Sequence, residues 1–268
     1  MDNRPIGFLD SGVGGLTVVK QSLKQLPNEG VIFIGDQARL PYGPRPQEQV
    51  LSFTQELVSF LLTKNVKMVV IACNTATAAA LPTIKKELDI PVIGVINSGS
   101  RAAIRATKNK DIAVISTEGT AKAHAYRTAI HKKDASIKVS ELATPKFVPL
   151  VESNEYKTPI AKHVVFQSLK PLRHGKMDTL IMGCTHYPLL RPIIKQFMGP
   201  NVTLIDPGEE TVSDVSAILD HLDIYAGEDN KPEREFYTTG STKMFDEIAS
   251  DWLELNQIHA NHVDVEKG

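Results

Sequence analysis

Val69-Val70-Ile71-Ala72-Cys73-Asn74-Thr75 and Leu180-Ile181-Met182-Gly183-Cys184-Thr185-His186 are two versions of one pattern, and they carry both cysteines of the 268-residue chain. In each, three apolar residues read as the end of a buried parallel strand. A small residue, the thiol and two hydrogen-bonding residues follow at the strand's exit. Open α/β sheets place ligand-handling groups at that carboxyl end. Two thiols at corresponding strand ends therefore point to a pair of acid/base groups facing one substrate. The alternatives are a Cys73–Cys184 disulfide or two inert buried thiols acting as small hydrophobes. The polar neighbours Asn74, Thr75, Thr185 and His186 do not suit a sealed core, and the shared frame argues against coincidence.

The duplication extends outward from the cysteines. Leu81-Pro82-Thr83-Ile84-Lys85 matches Arg191-Pro192-Ile193-Ile194-Lys195 to within one residue of register. Each copy then leads to a further strand and turn, Ile93–Gly99 and Val202–Gly208. Upstream, Ile6-Gly7-Phe8-Leu9-Asp10-Ser11 matches Ile112-Ala113-Val114-Ile115-Ser116-Thr117. A single duplication of this kind is not a solenoid.

In the first half, strands at 6–9, 31–35, 67–72 and 92–96 alternate with helices near 15–25, 46–64 and 76–88. This alternation predicts an α/β fold with parallel sheets and helices on both faces. The second half begins near residue 98 and repeats the pattern to about 206. A helix (209–225), a strand (235–239) and a helix (242–255) remain, too little to stand alone. The predicted organisation is two similar α/β domains, 1–97 plus 207–268 and 98–206, with the active site in the cleft between them. The polar end, 258–268, is expected to fray.

Composition bounds the partners. Hydrophobic residues make up 42% and charged residues 23%, ordinary values for a globular protein of this size. A net charge of −1 and a pI of about 6.7 call for neither nucleic acid nor an anionic membrane. No apolar run approaches the ~20 residues that span a bilayer. Met1-Asp2-Asn3-Arg4-Pro5 leads directly into a strand and resembles neither a signal peptide nor a transit peptide, so a cytoplasmic location is expected. There two thiols stay reduced.

Asp10-Ser11-Gly12-Val13-Gly14-Gly15-Leu16-Thr17 is a glycine-rich turn between a strand and a helix, suited to holding a small carboxylate or phosphate. Thr17 stands where the dinucleotide fingerprint needs its third glycine, and no Gly-Lys-Ser/Thr follows. Asp36–Gly43 lies at another carboxyl-end loop and reads equally well as a Pro/Gly turn. Asn74, Thr75, Thr117 and Thr185 supply uncharged donors and acceptors, while Thr117 and Thr120 equally suit a helix cap. Glu152 and His186 are candidates to tune the thiol at 184, although a lone Glu in a proline-rich stretch also suits a solvated surface. Apart from Cys184/His186, no Cys or His pair has metal-ligand spacing, so no metal is expected.

These segments resemble the signatures of bacterial glutamate racemase. The resemblance rests on Leu9–Gly15, Asp36–Gly43, Ala72–Thr77, Gly183–Leu189 and Phe236–Gly240 and spans about residues 5 to 255. Ser116-Thr117-Glu118-Gly119-Thr120 departs from the pattern, which has a glycine-bearing strand end there, but both threonines remain. The resemblance implies a cofactor-independent isomerase that interconverts L- and D-glutamate and supplies D-glutamate for peptidoglycan, usually as a homodimer. It also implies Cys73 and Cys184 as the catalytic pair; thiol chemistry itself suggests Asp10 to assist Cys73, and His186 with Glu152 to assist Cys184. By the resemblance Asp10, Ser11, Pro41, Tyr42, Gly43, Asn74, Thr75, Thr117, Thr185 and His186 would line the substrate site, and Thr120 is a further binding candidate beside Thr117.

Racemisation removes a proton from one face of Cα and delivers another to the opposite face, which calls for two flanking acid/base groups. A thiolate and a thiol meet that need with reversible roles. Three other readings use the same residues. One is a related racemase acting on aspartate or another small acid. Another is a thiol hydrolase with Cys184 as nucleophile and His186 as base. The third is a two-domain protein that binds its ligand without catalysis.

Overall fold

Every strand pairing among the described residues is parallel. The structure is a computed structural model, and it describes residues 1–255 and 258–265. The first half supplies β1 (Ile6–Asp10), β2 (Val31–Gly35), β3 (Met68–Ile71) and β4 (Val92–Gly94). The second supplies β5 (Asp111–Ser116), β6 (Lys138–Ala143), β7 (Thr179–Gly183) and β8 (Thr203–Ile205), and the C-terminal part adds β9 (Arg234–Thr238) and β10 (Ala260–His262). One sheet runs β10-β9-β2-β1-β3-β4 and the other β6-β5-β7-β8. Removing the two added strands leaves the same order in both halves: second, first, third, fourth.

The registers also agree. Leu9 pairs with Ile71 in one sheet and Ile115 with Met182 in the other, each partner standing two residues before its cysteine. The fourth strands correct one sequence expectation. Val70 pairs with Ile93 and Ile181 with Ile205, so Ile93 corresponds to Ile205 and not to Val202. β4 also ends at Gly94, short of residue 96, and both strands run into helices, one from Val95 and one from Pro207, where the sequence pattern suggests turns. Three-residue strands carry too little periodicity to fix their own frame.

The helices are α1 (Leu16–Gln25), α2 (Gln47–Thr63), α3 (Asn74–Glu87), α4 (Val95–Ala106), α5 (Glu118–Lys122), α6 (Ala125–His131), α7 (Phe147–Glu152), α8 (Pro159–Leu169), α9 (Arg191–Met198), α10 (Pro207–His221) and α11 (Thr242–Leu253). Alternation along β3 divides its side chains between two cores. Met68 and Val70 join the cluster with Leu16, Val19 and Phe245 of α1 and α11, while Val69 and Ile71 join that with Leu57, Leu61 and Ile84 of α2 and α3. With both faces covered, the strand has to be apolar throughout.

The chain passes between the sheets twice, through α4 and α10. These helices pack together, with ion pairs Arg101–Asp214 and Arg105–Glu210 between them. The expectation that 258–268 frays is corrected over part of its length: Ala260–His262 is an edge strand on β9, and Ala260 N–H donates to the Asp246 carboxylate at 2.7 Å. Residues 266–268 lie outside the described residues. No described helix is long and apolar enough to cross a membrane.

Candidate active site

Both cysteines are free and buried, each just past the end of its strand. Beyond them the copies diverge. Cys73 is the N-cap of α3: its sulfur accepts the Ala76 N–H at 3.4 Å, and Thr77 N–H donates to its carbonyl at 2.9 Å. Four residues after Cys184 comes Pro188, which has no N–H to close that turn. Tyr187 N–H bonds the Cys184 carbonyl at 3.1 Å instead, a 3-10 turn spans Tyr187–Leu190, and α9 starts only at Arg191. Thr185 and His186 are thereby left on an irregular bend beside the sulfur.

The two thiols line a common cavity of about 20 Å³. Ser11, Pro41, Tyr42, Gly43, Asn74, Thr75, Thr117, Thr185 and His186 line it with them, together with Leu40 and Val148. A space of that size holds about one water. Outside it lies a cavity of about 320 Å³ walled by Leu40, Pro41, Pro44, Val148, Pro149 and Glu152. Leu40, Pro41, Gly43, Thr117 and Val148 border both spaces.

Asp10 lies one layer behind the cavity wall, fully buried. Its carboxylate accepts the Gly12 N–H at 3.1 Å and the Thr185 hydroxyl at 3.4 Å. The Gly15 N–H also reaches it. The glycine-rich turn thus directs two of its N–H groups to the protein's own carboxylate, where the sequence reading had an external anion. Its glycines make room: a Cβ on Gly14 would lie 2.3 Å from Thr185 Oγ1, and one on Gly15 would lie 2.6 Å from Asp10 Cβ. Burial, above all, raises the Asp10 carboxyl from its ordinary value.

The surroundings of the sulfurs differ in kind. The Cys73 thiol donates to Ser11 Oγ at 3.5 Å, and burial, reinforced by the Asp10 charge, pushes it up to about 12. Cys184 Sγ lies 3.7 Å from His186 Nδ1, and the far nitrogen of that ring is 2.5 Å from Glu152 Oε1. Burial opposes charge on His186, but the bonds to Cys184 and Glu152 outweigh it and hold the imidazolium well above the ordinary histidine range. Glu152 is therefore no free surface residue; it ends α7 at the mouth of the cavity.

The threonines form a clasp between the halves. Thr75 Oγ1 is 2.9 Å from Thr117 Oγ1 and 3.3 Å from Thr120 Oγ1. Thr120 does not line the cavity; it sits behind Thr75 and Thr117 and bonds both. Gly119 permits the approach, since a Cβ there would meet the Gly43 carbonyl at 2.6 Å. Tyr42 presents its ring to the cavity and donates its hydroxyl to Asp36, which also accepts from Arg39 and Thr239.

Several residues of the site gave no sequence signal. Leu40 and Val148 look like ordinary apolar residues. Trp252 sets its ring edge-on to His186 at 6.2 Å from far along the chain. Tyr126 lies in a helical pattern with Ile130 that reads as plain core, yet its hydroxyl bonds Asn74 Oδ1 at 2.6 Å.

Two facing thiols on a duplicated parallel scaffold define the class, and the comparisons agree. The family model described as Asp/Glu/Hydantoin racemase matches residues 10–215. The chain belongs to that family. Glutamate racemases of Carnobacterium sp. (strain St2) and Lactiplantibacillus plantarum are each 60% identical, over 98% and 97% of this chain and 99% and 96% of theirs. The crystal structure of a glutamate racemase isoform from Bacillus anthracis superposes with a TM-score of 0.95 at 47% identity, covering 99% of both chains. That of the Francisella tularensis glutamate racemase, in complex with D-glutamate, gives 0.92 at 33% identity over 99% of both chains.

Proposed function

We propose that this protein interconverts L- and D-glutamate without a cofactor, using Cys73 and Cys184 as the two acid/base groups at Cα. The observation that carries the reading is that two reduced cysteines, at equivalent strand ends, line one cavity. Glutamate as substrate is supported by relatives named glutamate racemase that are 60% identical over nearly the whole chain. A Cys184–His186 hydrolase would leave Cys73 in the same cavity with nothing to do.

In one direction Cys184, as thiolate, takes the proton from L-glutamate while Cys73, as thiol, delivers one to the opposite face. For D-glutamate the roles reverse. His186, steadied by Glu152, balances the negative charge on Cys184. A charged Asp10 opposes a thiolate at Cys73, so Asp10 assists that thiolate best when it carries a proton itself, which the burial that raises its carboxyl favours. Charge developing on the substrate carboxylate is met by the Asn74 amide and the hydroxyls of Thr75, Thr117 and Thr185. Ser11, Pro41, Tyr42 and Gly43 complete the enclosure, and Thr120 holds the threonine clasp from behind.

The cavity of about 20 Å³ is too small for glutamate, so the walls part to admit it and close again. Closure excludes water and keeps the thiolate basic. In this reading the moving bodies are residues 1–97 plus 207–268 and residues 98–206, and α4 and α10 join them. The product supplies D-glutamate for peptidoglycan. The reading places the protein in the cytoplasm as a homodimer; the family resemblance supports both.

The test is incubation of the purified protein with L-glutamate and no added cofactor, followed by chiral chromatography. An approach to equal amounts of both enantiomers is expected. A faster reaction with aspartate, or no D-glutamate at all, would overturn the substrate assignment.

A further inference from the structure

Tyr126 is 0% exposed, and among the described residues its hydroxyl bonds a single side chain, Asn74 Oδ1, at 2.6 Å. A buried phenol needs an acceptor for its O–H. That requirement fixes the Asn74 amide, with its carbonyl oxygen turned to Tyr126 and its NH₂ left for the cavity that Asn74 lines. No side-chain bond among the described residues claims that NH₂ group.

The tyrosine comes from the other half of the molecule. It lies on α6 in the core cluster of the second sheet, with Ile112, Val114 and Ile181. Its ring edge presses on the strand end that precedes Cys184: a Cβ on Gly183 would stand 3.0 Å from Tyr126 Cε2. One side chain thus touches Gly183, the neighbour of Cys184, with its ring, and Asn74, the neighbour of Cys73, with its hydroxyl.

We infer that Tyr126 is a positioning residue that spans the two cysteine-bearing strand ends and holds the Asn74 amide with its NH₂ toward the substrate carboxylate. The inference deepens the racemase reading and rests on it. Its hydroxyl reaches across the halves, so the bond forms only when they are together. The Asn74 donor is then presented when Cys73 and Cys184 face each other, and the electrostatic support and the proton-transfer pair are assembled in one motion.

Tyr126→Phe keeps the ring against Gly183 and removes the tether. Because the donor acts on charge that grows toward the transition state, kcat should fall about tenfold in both directions while KM changes less than about threefold. The specific test is a double-mutant cycle with Asn74→Ala. Tyr126→Phe should have no further effect in the Asn74→Ala background, because the tether then holds nothing. Wash-in of solvent deuterium at Cα over hours gives the same comparison if Asn74→Ala turns over too slowly for chiral chromatography. Equal losses from Tyr126→Phe in both backgrounds, or unchanged kcat in the single variant, would overturn the inference. If the wild-type protein itself failed to racemise glutamate, the functional reading would fall instead.

Discussion

Cys73 and Cys184 leave their strands at the same register, but the chain beyond them goes different ways. After Cys73, Thr77 N–H closes a helical turn, so that sulfur sits at a helix start beside a buried carboxylate. After Cys184, Pro188 offers no N–H, and the resulting bend brings His186 to the sulfur and Glu152 to the far side of the ring. Duplication supplied two equivalent thiols, and one backbone donor present in one copy and missing from the other made their surroundings unequal. Burial keeps the Cys73 thiol neutral, whereas Cys184 faces the His186 imidazolium. Such unequal surroundings suit the proposed thiolate–thiol pair.

The comparison breaks most visibly if either thiol proves dispensable. Cys73→Ala and Cys184→Ala should each lower racemisation at least about a thousandfold, as measured by chiral chromatography. Near-normal turnover by either variant in both directions would show that one wall suffices.

A smaller effect separates the walls. His186→Asn should lower kcat about a hundredfold. Glu152→Gln, which keeps a hydrogen-bond acceptor but loses the charge, should lower it about tenfold. Enantiomers are equal in energy, so kcat/KM must fall equally in both directions. The asymmetry should appear in the isotope effect, which His186→Asn should raise more for [2-²H]L-glutamate than for the D form. Equal increases would mean that His186 serves both sulfurs.

The smallest effects concern stability, and the two sides should titrate in different windows. His186 holds its proton well above 6.5 when folded, so the stability from its pairing is complete below pH 6.5 and is lost as pH rises through the folded value. The Tm advantage of wild type over His186→Asn should shrink as pH climbs from 6.5. Cys73 moves from 9.0 to about 12, so between those values the unfolded chain releases a proton that the folded one keeps. Wild type should therefore lose stability relative to Cys73→Ala from pH 9 upward.

The strand ends could be read from sequence because three apolar residues and a thiol repeat in one frame, and the fold class followed from that alternation. The Asp10 turn is legible in the sequence, but Gly14 makes room there for Thr185 and His186 and Gly15 for Asp10 and Phe33, which sequence spacing does not reveal. The β10 strand was missed because an edge strand with two exposed residues lacks hydrophobic alternation. The structural meaning of Pro188 is legible once Cys73 and Cys184 are aligned. The part Tyr126 plays is not, because a buried tyrosine in a helical pattern looks the same whether or not its hydroxyl reaches a functional side chain.

The two-thiol account is tested most directly by racemisation of unlabelled L-glutamate in ²H₂O over the first few per cent of reaction. Two separate bases predict that the D-glutamate formed carries deuterium at Cα while the recovered L-glutamate remains largely protiated. Deuterium appearing in recovered substrate as fast as in product, or product that retains its original proton, would contradict it.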